Sequence, residues 1–252
     1  MKKNIITIIS IFLNINKINS QILLTENNHI SIRGTIDDEL ISNKIIEMNK
    51  LDDNNIYIYL QTNGGSVMAG YKFIESIDYL KKNGKNISCI GDISISMGFV
   101  IFQHCDYRFI TKSSILMQHQ MSLELSGSIN NLNNYLIMIN DIKTELDVKQ
   151  SQRLELSMND FNNLISNDWW IFGTNNLKYR TADVLTTVGC NKNLINTFII
   201  EKINTIFGNI IAKYSACPTV RSPLEIKYEK DDTYIDPVIF VKNLTSSGNY
   251  FI

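Results

Sequence analysis

The sequence predicts an α/β fold with a largely parallel sheet, on three observations. Strand-like apolar runs alternate with helix-like stretches, as in Ile56–Leu60, Val67–Leu80 and Ile87–Ile90. Turn signals separate them at Asn63-Gly64-Gly65-Ser66 and Asn83-Gly84. A long stretch, Ile129 to Leu156, carries Ile129, Leu132, Leu136, Ile139, Ile142 and Leu146 at three- and four-residue steps. Such alternation indicates βαβ units, whose crossovers require parallel strands. A chain of 252 residues, 44% apolar and 19% charged, has the material for one large domain or two small ones. Its net charge of −1, without a basic stripe or acidic tail, argues against nucleic acid as a partner.

Taken in order, the chain opens with Lys2 and Lys3, the apolar run Ile5 to Leu13, then Asn14 to Ser20 with a small residue at its end. This is the pattern of a secretory signal peptide, and the run is too short to span a membrane comfortably. The absence of arginine before Arg33 argues against a mitochondrial transit peptide. Residues 1–20 are read as this signal, 21–192 as the main domain and 193–252 as a C-terminal extension without an assignable role. A first strand or helix of the domain, or an uncleaved anchor, are the alternatives for residues 1–20. The expected location is the secretory pathway or outside the cell, with an organelle or the cytoplasm as alternatives.

Ile22 to Gly34 reads as one or two strands. Asp37 to Leu51 reads as a helix with an apolar face opened by acidic residues. Ile56 to Leu60 is a strand by its β-branched and aromatic content, and Val67 to Leu80 is a helix ended by Asn83-Gly84. After Ile87–Ile90 come short strands near Tyr107–Ile110 and Ser114–Gln118. The long helix Ile129–Leu156 packs either within its own domain or against another subunit. A short helix is expected at Asn159–Ser166, a strand or turn at Asp168-Trp169-Trp170-Ile171-Phe172 and a helix at Thr174–Val184. The weak boundary lies near Cys190–Asn193. Beyond it an apolar helix is expected over Leu194–Tyr214, then a tail with Pro218, Pro223 and Pro237. Cys89, Cys105, Cys190 and Cys217 permit disulfides without establishing them. Of two glycosylation sequons, Asn86-Ile87-Ser88 and Asn243-Leu244-Thr245, only Asn243 lies outside an expected buried strand.

The segment Gly91-Asp92-Ile93-Ser94-Ile95-Ser96-Met97-Gly98 joins one apolar run to another, Phe99–Phe102. A strand, a sharp turn and a helix are the natural reading. A serine there sits where unpaired N–H groups and the helix dipole favour a developing anion. Ser96 is thus placed as a nucleophile would be; the plain alternative is that Ser94 or Ser96 caps the helix. His119 ends an expected strand, and Asp168 precedes Trp169. A nucleophilic serine needs a base, and the base needs a carboxylate to hold its tautomer. The Gly64-Gly65 pair after a strand lets backbone approach a substrate and aims N–H groups at an oxyanion, or else is an ordinary turn. No Gly-Lys-Ser or Gly-Lys-Thr follows, so it is not a phosphate loop.

With these residues in order, the sequence from about Ile22 to Val188 resembles the Clp protease proteolytic subunit, within the ClpP/crotonase superfamily. The resemblance is carried by Ile56-Tyr57-Ile58-Tyr59-Leu60, by Gly64-Gly65-Ser66-Val67-Met68-Ala69-Gly70, by Ser96-Met97-Gly98, by Met117-Gln118-His119-Gln120 and by Asp168. It implies repeated β-β-α units with a protruding long helix through which two rings meet. It also implies Ser96 as nucleophile, His119 as base, Asp168 as orienting carboxylate, and Gly65 and Met97 as oxyanion donors. No metal or organic cofactor is implied. The sequence departs from the pattern by one extra residue between Gly91 and Ser96, which would make the approach strand bulge. Asn63 and Met121 stand where the family has prolines. Trp169 and Trp170 replace an Arg-Phe pair and could alter ring contacts or cover Asp168.

The expected function is a serine endopeptidase acting on peptides or unfolded chains as a homo-oligomeric ring. A crotonase-type acyl-CoA enzyme, a catalytically silent ring or scaffold subunit, and a Ser–Lys peptidase are the alternatives. An ATP-driven (AAA+) unfoldase as partner is undetermined by the family pattern. The signal-like start, followed directly by the domain, leads us to expect activity without one.

Overall fold

The computed structural model describes residues 20–205, 208–230 and 233–235. The signal-like segment, Ser20 apart, and the Asn243 sequon lie outside the described residues. The main domain is an α/β fold around a mainly parallel seven-stranded sheet, as the sequence predicts. Its elements are β1 (Ser20–Leu24), β2 (His29–Arg33), α1 (Asp38–Asn49), β3 (Asn55–Thr62), α2 (Val67–Lys82), β4 (Asn86–Ile95), α3 (Met97–Gln103), β5 (Tyr107–Gln118), α4 (Ile129–Arg153), α5 (Met158–Ile165), β6 (Trp169–Phe172), α6 (Asn175–Lys178) and β7 (Val184–Cys190). The strand order is β1-β7-β5-β4-β3-β2, all parallel, and β6 adds antiparallel to β5.

Alternation along β3 and β4 sends Ile56, Ile58, Leu60, Ile87 and Cys89 to one face, into a core shared with Phe73, Phe99 and Phe102. Each of those phenylalanines is fully buried, a stabilisation of about 1.5–3 kcal/mol apiece. The opposite face carries Tyr59 and Ile90, with Tyr57 and Phe109 beside them, and is covered by Leu194, Cys217 and Val220. Helix starts are set locally. Asp37 accepts from Leu40 N at 2.8 Å for α1, Ser66 from Ala69 N for α2 and Ser157 from Asp160 N for α5.

Several sequence expectations are corrected. Only Asn175–Lys178 of Thr174–Val184 is helical, because Arg180 takes a positive φ and the chain turns into β7. The expected helix over Leu194–Tyr214 is a short α7 (Lys192–Asn196) followed by β8 (Phe198–Thr205) and β9 (Gly208–Ser215). With β10 (Glu225–Tyr228) and β11 (Tyr234–Ile235) these form a four-stranded antiparallel sheet around Ile210, Ala212 and Ile226. Apolarity without clear periodicity does not separate strand from helix, and the β-branched residues Ile199, Ile200 and Ile203 favour the strand. The two short strands expected in 107–118 are one strand, β5, whose pairing with β4 skips from Ile110 to Ile115. Asn86 begins β4, whose following residues are all buried, as expected, and is itself exposed. All four cysteines are paired, Cys89 with Cys105 and Cys190 with Cys217.

The long helix is present and divided in character. From Ile139 onward the helix buries Ile139, Leu146 and Gln150, whereas Ile129, Tyr135, Leu136, Ile137 and Met138 in its first ten residues are exposed.

One buried ion pair locks β5 to the turn before β7. Arg108, 3% exposed, donates through Nε and Nη2 to both oxygens of Asp183 at 3.1 and 2.5 Å, and its backbone N–H adds a third bond. Burial alone would raise the Asp183 pKa, but the hydrogen bonds and charge of Arg108 outweigh it and hold the carboxyl below 3.8. A depressed carboxylate stabilises the fold above its unfolded pKa and loses that contribution as pH falls through the folded value. Asp183→Ala strands a buried guanidinium, so urea unfolding at pH 7 should show a loss of about 3–5 kcal/mol. The gap from wild type should shrink as pH falls below 3.8.

Candidate active site

The serine turn is built where β4 hands over to α3. Ser96 N donates to Met117 O at 2.9 Å, the last rung toward β5. Ser96 itself has φ 56° and ψ −118°, an uncommon conformation for a non-glycine residue that costs about 1–3 kcal/mol. Its side chain makes no capping hydrogen bond, unlike Asp37, Ser66 and Ser157 at other helix starts. The capping alternative therefore does not describe Ser96. Ser94, the other serine in the turn, is fully buried and its hydroxyl has no hydrogen-bond partner among the described residues.

The Ser96 hydroxyl meets His119 instead, with Oγ 2.8 Å from Nε2. His119 follows β5 directly, and its position is fixed by its neighbour. Gln118 is buried, donates from Nε2 to Gln150 Oε1 on α4 at 2.6 Å, and accepts from His119 N at 3.2 Å. Gln150 was invisible to sequence reasoning, since its only signal was a polar residue one turn after Leu146 on the inner side of a helix.

Asp168 arrives through strand register. In the antiparallel pair β5–β6, Gln118 lies opposite Trp169, so the next residues outward are His119 and Asp168. Asp168 Oδ1 stands 3.8 Å from His119 Nδ1, within ion-pair range but beyond a hydrogen bond. Its side chain is 57% exposed, so the two tryptophans do not cover it. Trp169 turns inward, with its ring centroid 6.3 Å from Phe99 of α3 and 6.0 Å from Tyr179, while Trp170 is exposed.

The Gly64-Gly65 turn closes against this serine. A Cβ on Gly64 would lie 2.8 Å from both Ser96 Cβ and Ile95 O, and one on Gly65 would lie 2.2 Å from Ile36 O. Both residues have positive φ, 92° and 149°. Ile36 clamps the turn from behind: its N donates to Gly64 O at 2.8 Å and its O accepts from Ser66 N at 2.7 Å. Gly64 N is taken by Thr62 Oγ1 at 3.0 Å. The N–H groups of Gly65 and Met97 enter no backbone hydrogen bond among the described residues. The five residues singled out from the sequence, Ser96, His119, Asp168, Gly65 and Met97, are thereby brought to one place. Chemically, a hydroxyl faces an imidazole, with two unengaged backbone donors and a carboxylate at the edge.

The extra residue before Ser96 is Asp92. The β3 ladder passes from Leu60–Gly91 to Gln61–Ile93, and the β5 ladder from Gly91–Ile110 to Ile93–Ile115, so Asp92 belongs to no rung. The expected bulge is real, and Ser114 Oγ bonds the Gly91 carbonyl beside it.

Calorimetry separates a crowded glycine from an open one. Gly65→Ala should lose about 1–3 kcal/mol. Gly84→Ala, also at positive φ (85°) but with open space around it, should lose less. A family model described as Clp protease matches residues 14–187 of this chain, beginning ahead of residue 21, where the sequence alone would start the domain.

Proposed function

Because the chain belongs to the Clp protease family, we propose that it is a serine endopeptidase that cuts peptides or unfolded polypeptides through Ser96, His119 and Asp168. The observation that carries this reading is the 2.8 Å approach of His119 Nε2 to the hydroxyl of a serine held in a strained strand-to-helix turn. As Ser96 Oγ attacks a peptide carbonyl, its proton passes to Nε2, and the imidazolium then protonates the leaving amine. A water activated by the same nitrogen hydrolyses the acyl-enzyme. The Gly65 and Met97 N–H groups are the donors left to receive the oxyanion, and preorganised donors of this kind lower the barrier by several kcal/mol, about 2.7–4 for one donor. Asp168 acts on Nδ1, fixing the tautomer from the ion-pair distance seen here; catalytic contacts that are long without substrate tighten when it binds.

The family typically forms homo-oligomeric rings acting on peptides. We extend this to the present chain through the bare N-terminal stretch of α4, where Ile129, Leu136 and Ile137 are exposed. We also place the protein in the secretory pathway, a reading supported by the basic and then apolar start and by four paired cysteines, which suit an oxidising compartment.

Ser96→Ala should abolish labelling by a fluorophosphonate probe and peptide hydrolysis, with an unchanged circular dichroism spectrum. Undiminished hydrolysis would remove Ser96 from the mechanism. Asp168→Asn should cut kcat by about two or more orders of magnitude with KM little changed. Near-normal turnover would reduce Asp168 to a surface carboxylate. Light scattering at micromolar concentration should return a mass many times the 28.9 kDa of the chain. A clean monomer would contradict the ring.

A further inference from the structure

The carboxylate of Asp92 is 2% exposed, and its Oδ2 makes no hydrogen bond among the described residues. A buried carboxylate requires a cation, and its ion-pair partner is Arg221, which reaches Oδ1 from the segment between β9 and β10. That segment is braced where it delivers the guanidinium. Cys217, four residues earlier, is bonded to Cys190 at the end of β7. Arg33 of β2 donates to Val220 O at 3.4 Å and lies 4.8 Å over the ring of Tyr214. Tyr59 of β3 packs on the same face, and burial together with the Asp92 charge pushes its phenol far above the usual range.

Asp92 is also the residue that neither neighbouring strand pairs with. The backbone ladder therefore leaves Asp92 without a rung, and its side chain is held by Arg221 instead. From Asp92 the strand runs through Ile93, Ser94 and Ile95, all buried, directly into Ser96. We propose that Arg221 is a positioning residue for Ser96: by gripping the bulge at Asp92 it sets where β4 ends, and so the distance between the serine hydroxyl and His119. The C-terminal segment thus belongs to the catalytic apparatus although it does not touch it. This rests on the serine-peptidase reading above.

A displacement of about 1 Å between reacting groups costs about a hundredfold in rate. Arg221→Gln should therefore slow fluorophosphonate labelling of Ser96 and lower kcat by about 10–100-fold, with KM for a short peptide within about twofold. Arg221→Lys keeps the positive charge and should restore most of the rate. Hydrogen exchange should quicken at residues 93–97 in Arg221→Gln, a readout that needs no activity. Wild-type labelling and wild-type exchange at 93–97 in Arg221→Gln, measured well below its melting temperature, would overturn the proposal. A wild-type chain that takes no probe refutes the peptidase reading instead. The exchange comparison then decides the grip by itself: faster exchange in Arg221→Gln supports it, and unchanged exchange overturns it.

Discussion

Everything at this site depends on one backbone contact, the Gly64-Gly65 turn lying against Ser96. Two turns from successive β-α units approach so closely that a Cβ at Gly64 would overlap the serine's own Cβ. The contact is bought by a clamp further back, where Ile36 makes two backbone bonds to the glycine turn. With the turn fixed, the strained conformation of Ser96 is over-determined from both sides, by Met117 O beneath and Gly64 above. A strained residue persists only in such a setting, and its hydroxyl is then free of capping duty and available to His119.

Much of this was legible in the sequence because it is local. A glycine pair after an apolar strand, a serine between two apolar runs and a histidine at a strand end each announce a turn through elementary backbone chemistry. The parallel sheet followed from the alternation of Ile56–Leu60, Val67–Leu80 and Ile87–Ile90. The bulge was anticipated from one surplus residue, although its partner was not. Arg221 lies 129 residues from Asp92, and no local pattern encodes a pairing at that range. The same holds for Gln118 with Gln150 and for Arg108 with Asp183. The expected helix at Leu194–Tyr214 failed for a different reason: an apolar stretch rich in isoleucine fits a strand better than a helix, and its periodicity was too weak to arbitrate.

The two faces of the main sheet have separate tasks. One buries Phe73, Phe99 and Phe102 beneath the helices and supplies bulk stability. The other is covered by the C-terminal segment and contains charge, with Asp92 among Tyr59, Arg33 and Arg221. Buried charge is poor cement compared with hydrocarbon, but removing one partner of a buried pair is costly because the other is left uncompensated. The pair sits four residues from Ser96, on the strand that delivers it, where small displacements matter most.

The division within α4 has a thermodynamic consequence. From Ile139 onward it is anchored through Ile139, Leu146 and Gln150, while the stretch from Ile129 to Met138 buries little of its own. Helical order in that N-terminal stretch rests on short-range propensity, which is marginal over three turns of Asn-rich sequence. Local opening there is cheap and need not disturb the core. Any surface that covers the stripe supplies the missing free energy by mass action. Helix content in this segment is therefore a titratable quantity, governed by the concentration of whatever docks on it rather than by temperature alone.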